Sequence, residues 1–189
     1  MDKIDITEKI FAFIPITQQT ILGSHVAGRA NFMALAWLTR VNFKPAMIAV
    51  AVNKNNQSRG GILETGEFSL NVPSADLMAL TDYTGLVSAR QVDKARLFDV
   101  FYGRLQAAPL IRECPVNVEC RVAHRIEMPT NDLFVGEVVG VYAEERFLTD
   151  GAPDPEKVKP FVLSMPDNRF WALGECVGRA WQAGKALKK

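Results

Sequence analysis

A mainly β fold, a barrel of about six strands with short helices at its periphery, is predicted by three features of this sequence. Apolar runs of strand length recur, first at residues 31–41 and 45–52. Strand signals return at 116–122, with period-two alternation, and over the long run 133–148. The helical signals between them are short and do not alternate regularly with strands, which disfavours a doubly wound parallel sheet. Neither GxGxxG nor GxxxxGK[ST] occurs, so the usual glycine-rich phosphate cradles are missing too.

Taken in order, "QQTILGSHVAG" supplies strand-like Thr20 and Leu22 and turn-forming Gly23 and Gly28. The run from Asn31 to Val41 is apolar on both faces and reads as one strand covered on both sides. Pro45 disfavours helix at Lys44, and the β-branched run to Val52 reads as a neighbouring strand. Next comes a short helix with Ser58 as its N-cap and Gly66 as its stop, weakened by Gly60 and Gly61. A brief strand "FSLNVP" leads to a second helix capped by Ser74, with Leu77, Met78 and Leu80 as its buried stripe and Gly85 as its stop. The polar stretch after it is loop, with one helical turn around Asp93 to Phe98. In the long strand that follows, Gly136 and Gly140 mark bends or bulges. "DGAPDPEKVKP" is a turn-rich excursion, and the last residues read as a short helix with a basic tail. No repeat or linker divides the chain, so residues 1–189 are read as a single domain.

Twenty-two basic residues against 21 acidic ones leave a formal charge of +1, so no global field draws the chain to nucleic acid or to an anionic membrane. The start lacks the pattern of a secretory signal, and no run of about twenty apolar residues is present to span a bilayer, which gives a cytoplasmic expectation. Cys114, Cys120 and Cys176 match neither a disulfide framework nor a zinc pattern and read as reduced thiols. His25 and His124 lack metal-ligand spacing, and no metal is expected.

Two stretches carry chemistry. The loop Asn53-Lys54-Asn55-Asn56-Gln57-Ser58-Arg59 joins a strand to a helix start, where free N–H groups and the helix dipole favour an anion such as a phosphate. Lys54 and Arg59 add charge, and Asn53, Asn55, Gln57 and Ser58 add neutral groups. The competing reading is an Asn-rich turn that only caps the helix. On the strand before it, a period of two puts Asn31, Met33, Leu35, Trp37 and Thr39 on one face, a set suited to a flat heteroaromatic ring or to plain packing. Lys94 is a surface charge or, turned inward, a cation for a reduced anionic ring or its phosphate.

The segments "NFMALAW", "NQS", "ETGEFSLNVPS", "TGLVSARQVDKARLF", "APLIRECPVNVECRV" and "DLFVGEVVGVYAEE" occur in an order and spacing that resembles the flavin reductase-like family with its FMN-binding split barrel. The resemblance runs over nearly the whole chain and implies a six-stranded antiparallel Greek-key barrel, a homodimer and one non-covalent FMN per subunit, with FAD less favoured. It implies that Asn31, Met33 and Trp37 approach the flavin ring, with Phe32 and Ala34 of the same stretch in the cofactor-binding set. It gives the phosphate to the loop with Asn53, Lys54, Gln57 and Ser58, sets Lys94 near the flavin, and leaves the covering aromatic as either Phe170 or Trp171. The flavin then carries the redox chemistry and no side chain is a catalytic nucleophile or acid. The implied activity is electron transfer between a donor, NAD(P)H or a redox protein, and a protein or small-molecule acceptor. A reductase that releases reduced flavin to an oxygenase, and a non-enzymatic flavin store or sensor, are the other readings of the same resemblance.

Overall fold

The computed structural model describes residues 16–187. The expectation about a secretory signal falls on residues 1–15, and part of the basic tail on Lys188 and Lys189, outside the described residues.

The chain runs through β1 (Ile16–Gln18), β2 (Thr20–Val26), β3 (Arg29–Leu35), β4 (Leu38–Asn42) and β5 (Met47–Asn53) before α1 (Gln57–Thr65) and β6 (Glu67–Val72). A single 3-10 turn leads into α2 (Met78–Leu86), and a second turn at Lys94–Leu97 precedes the two-residue strands β7 (Val100–Phe101) and β8 (Leu110–Ile111). The long hairpin β9 (Val116–Glu127) and β10 (Asn131–Ala143) follows. The chain closes with β11 (Leu148–Thr149), β12 (Ala152–Pro153), α3 (Pro155–Val158), β13 (Phe161–Ser164) and β14 (Arg169–Ala172).

Seven strands form one sheet in the order β3-β2-β6-β9-β10-β5-β4, every pair antiparallel. Its two edges, β3 and β4, are joined by Ala36 and Trp37 alone. Such a link reaches about 11 Å at most, so the sheet must curl until its edges converge at that corner. The result is a barrel split along one seam. The expected single strand over 31–41 is therefore two strands, which raises the count from six to seven. The break is made by backbone pairing: Leu38 N donates to Ala36 O at 3.2 Å, and Ala51 N donates to Trp37 O at 2.9 Å. A separate three-stranded sheet, β1-β13-β14, lies beside the barrel.

The barrel interior is filled by Leu22, Leu35, Val50, Val52, Phe68 and Phe134, and Ile62 of α1 belongs to the same cluster. Burying each such side chain contributes about 1.5–3 kcal/mol. Phe32 and Ile21 point the other way, into a second cluster with Phe98, Ile111 and Cys114. Gly136 and Gly140 fall at the two register shifts between β9 and β10, as their bend signal predicts. A Cβ on Gly136 would come within 2.6 Å of the Phe68 ring, so the bulge also makes room for the core.

Gly66 ends α1 in the left-handed conformation at φ 69°, but the helix starts one residue before Ser58. Asn56 holds the capping position, and Ser58 sits in the first turn with its Oγ turned to Asn31 instead. Gly85 likewise does not stop α2. It lies inside the helix, where a Cβ would come within 3.1 Å of Ala34 Cβ, so its role is the close approach of α2 to β3. Of the expected buried stripe, Met78 is 39% exposed, while Leu77 and Leu80 pack on the second cluster.

Candidate functional site

β3 is an edge strand, so one row of its main-chain N–H and C=O groups has no ladder partner. That edge is bordered by the start of α1 and by the segment after α2, and the three elements enclose a chain of hollows. One of about 430 Å³ is lined by Arg29, Asn31, Gln57, Arg90 and Lys94 among others. The next, about 310 Å³, shares Asn31, Gln57 and Lys94 with it and adds Met33, Ala34 and Ser58. A third, about 510 Å³, shares Ala34 and Asn56 with the second and extends to Trp37, Asn53, Asp82 and Phe170.

The polar groups here are unusually under-committed. Asn31 is 4% exposed and its Nδ2 donates to Ser58 Oγ at 2.8 Å, yet its Oδ1 is buried without a partner. The Oγ of Ser24, the cross-strand partner of Asn31, is also buried and unpaired. A buried acceptor left unmatched costs about 1–3 kcal/mol, so a ligand that donates to Asn31 would recover that penalty. The start of α1 has no side-chain cap, which leaves its first N–H groups and its dipole directed at the same space.

Lys94 turns inward. Its side chain is 5% exposed and Nζ donates to the carbonyls of Thr84 at 3.0 Å and Val87 at 3.1 Å. The neighbouring Asp93 caps the turn by accepting from Ala95 N. Burial lowers the Lys94 pKa from its ordinary value of 10.5 to about 8. The buried ammonium is thus penalised below pH 8, and the penalty disappears as pH rises from about 8 to 10.5 because the unfolded chain still binds the proton there. The wild type should therefore gain stability relative to Lys94→Met over that window in urea unfolding. A flat difference would show that the ammonium is well solvated, and one of opposite sign that its carbonyl partners more than offset its burial.

The remaining expected residues divide. Arg59, which seemed free to add charge to the loop, donates from Nε to Asp132 Oδ2 at 2.7 Å, and Asp132 is fully buried. Desolvation alone would raise the Asp132 pKa, but the bonds from Arg125 and Arg59 outweigh it and hold the carboxyl below its ordinary range. Lys54 pairs with Glu127 at 2.7 Å and lines none of the three hollows, and neither does Phe32, whose ring lies in the second core cluster. Phe170 lines the third hollow, whereas Trp171 is half-exposed and donates from Nε1 to Ser164 Oγ at 2.7 Å. Sequence reasoning passed over Arg29, Arg90, Thr84 and Asp82. The polar "VSARQ" stretch was the available signal for Arg90, while Thr84 and Asp82 are brought in only by the helix contact at Gly85.

A family model described as a flavin reductase like domain matches residues 16–153. The chain belongs to the flavin reductase-like family. The flavin reductase-like barrel is shared over 100% of both chains, at 47% identity and a TM-score of 0.95, with the crystal structure of flavoredoxin from Methanosarcina acetivorans. Flavoredoxin of Desulfovibrio vulgaris (Miyazaki F) is 31% identical with a TM-score of 0.88, covering 97% of this chain and 100% of that one. An FMN reductase (NADH) of Bradyrhizobium diazoefficiens is 25% identical over 145 residues, 71% of this chain and 78% of the relative. Among the described residues of this flavin reductase-like chain, no helix is long and apolar enough to cross a membrane.

Proposed function

We propose that this chain is an FMN-binding flavoprotein with oxidoreductase activity, carrying electrons between a reduced donor and an acceptor and working as a homodimer of single-domain subunits. The observation that carries this reading is the unpaired Asn31 Oδ1 beside an uncapped helix start and a buried Lys94, all bordering one hollow on a free strand edge. A flavin mononucleotide has the two matching parts: a flat ring whose edge donates and accepts hydrogen bonds, and a terminal phosphate. The names of the relatives support the same cofactor.

When bound, FMN supplies the two-electron and one-electron redox chemistry. The chain's residues hold and shield it. Asn31 Oδ1 receives a hydrogen bond from the ring edge, while its Nδ2 stays on Ser58 Oγ and fixes the amide's orientation. The N–H groups of Gln57 and Ser58 hold the phosphate, with Lys94 adding positive charge. Met33 and Ala34 give the ring an apolar bed, and Trp37 and Phe170 exclude water from its far end. Asn53 borders that end, and Lys54 acts only by tying the loop to Glu127. The donor, NAD(P)H or a reduced redox protein, approaches the open side of the third hollow.

An absorption spectrum of the purified protein from 300 to 550 nm, before and after anaerobic NADH or NADPH, tests the reading. Stoichiometric bound FMN bleached by a nicotinamide is the expected result, and FMN that stays oxidised with both points to a protein donor. Protein that takes up no FMN would end the proposal, and NADH oxidation only with added free flavin would instead indicate a reductase that releases its product. In the same titration Asn31→Ala should raise the FMN dissociation constant roughly tenfold, since a hydrogen bond to a buried acceptor is worth about 1–2 kcal/mol. An unchanged constant would remove Asn31 from the site.

A further inference from the structure

We infer that residues 173–187 form an arm that docks on a second copy of this chain, with Trp181 entering an apolar groove of that copy lined by Val72, Val116, Pro155, Val158 and Val162. The inference rests on the homodimer proposed above and adds to it a specific contact.

The arm leaves the body as irregular chain and ends in a short 3-10 helix, Ala183–Leu187. Val177 is 102% exposed, Trp181 92% and Leu187 86%. Its backbone hydrogen bonds are internal, from Gln182 and Ala183 to Arg179 O and from Lys185 to Gln182 O. Large apolar side chains spaced along one short segment, each left in water, are the pattern of a surface that another molecule covers. The arm nevertheless follows a defined path. It is fifteen of the 189 residues, and a match of 0.95 over the whole of both chains to a crystallised relative could not be reached if so many residues took another course. A segment whose backbone bonds are internal and whose large apolar side chains stand in water keeps one course when a neighbour holds it.

The complementary surface is on this chain too. The groove has a volume of about 410 Å³, is lined by aliphatic side chains and prolines, and has Leu173, the root of the arm, on its rim. Its flank, residues 150–162, carries Asp150, Asp154 and Glu156 with Lys157 and Lys159, and the arm carries Arg179 and Lys185 with Glu175. An apolar plug thus meets an apolar slot, and the net charges around them, +1 on the arm and −1 on the flank, are of opposite sign. Because both halves belong to one chain, a two-fold axis satisfies both arms at once and closes the assembly.

The test uses the full chain with FMN bound. Trp181→p-benzoylphenylalanine protein is irradiated in an exchanged mixture of ¹⁴N and ¹⁵N copies, and crosslinked peptides are sequenced. Mixed-isotope crosslinks to Val72, Val116 or residues 150–162, the lining of the groove, are expected. Trp181→Ser, and separately a chain ending at Ala172, should raise the dimer dissociation constant at least tenfold while FMN stoichiometry stays at one per subunit. Same-isotope crosslinks alone, crosslinks to another surface, or an unchanged dimer constant in both variants would overturn the arm and leave the dimer standing. A full chain that is monomeric with FMN bound would overturn the arm and the dimer together, with the cofactor reading intact.

Discussion

Replacing Glu119 by alanine is expected to cost about 3–5 kcal/mol of stability, because it strands several buried donors that share one charged acceptor, each at about 1–3 kcal/mol. The side chain is completely buried on β9. Its two oxygens accept from the backbone N–H groups of Gly103 at 3.2 Å, Arg104 at 2.9 Å and Leu105 at 3.0 Å, and from the Tyr142 hydroxyl at 2.8 Å. Removing the carboxylate leaves four donors without their partner. A Cβ on Gly103 would come within 2.7 Å of this carboxylate and nearer still to Tyr142, so the loop approaches as closely as a backbone can. Tyr142 reports on the arrangement, since its pKa is raised first by burial and then by the hydrogen bond and charge of Glu119. Glu119→Gln keeps the shape and half the acceptor capacity and should lose roughly half as much, because amide acceptors bond more weakly than charged ones. Urea unfolding of the two variants decides the matter. A loss under about 1 kcal/mol for the alanine variant would mean that the 103–105 loop is held by something else.

The second large effect sits under the proposed phosphate site. Gly60 and Gly61 are adjacent in α1 and should respond to alanine with opposite signs. A Cβ on Gly60 meets nothing within 4 Å, so Gly60→Ala gains helix propensity of about 0.5–1 kcal/mol. On Gly61 the same Cβ would stand 1.7 Å from His25 O, a backbone atom fixed in the β2–β3 ladder opposite Ala30. The carbonyl cannot yield without breaking the ladder, so α1 must lift away from β2. The expected net loss is about 2–4 kcal/mol, as for severe overpacking. Lifting α1 also carries Gln57 and Ser58 away from Asn31, so FMN affinity should fall more than tenfold in Gly61→Ala and stay unchanged in Gly60→Ala. Thermal unfolding and FMN titration of the pair check both readouts. Equal behaviour of the two variants would refute the idea that the closeness of α1 to β2 sets the site.

These two glycines show where reading along the chain stops. Both appear in the sequence only as poor helix formers, and their difference comes from a strand thirty-odd residues earlier. The same holds for the site. What the sequence by itself determined was everything carried by local period and local chemistry: the apolar strands of the barrel, the left-handed stop at Gly66, the bulges at Gly136 and Gly140, and the polar loop before α1. The ordered series of segments was also enough to place the chain in its family.

Only the tertiary structure decided which way the functional side chains turned. Lys54 and Arg59 looked like equal members of a cationic loop, yet each is taken by an acid 73 positions away, Glu127 and Asp132. Lys94 could be read as a surface charge or as an inward cation, and the carbonyls at the end of α2 draw it inward. Phe170 and Trp171 alternate across one short strand, and the Ser164 bond to the Trp171 indole leaves Phe170 beside the hollow. The run from Asn31 to Val41 bends at Ala36 because a sheet that closes on itself must turn somewhere, and no local pattern marks the place. Periodicity records which residues are buried; the partner that orients a polar group is chosen across the barrel, by contacts distant in sequence.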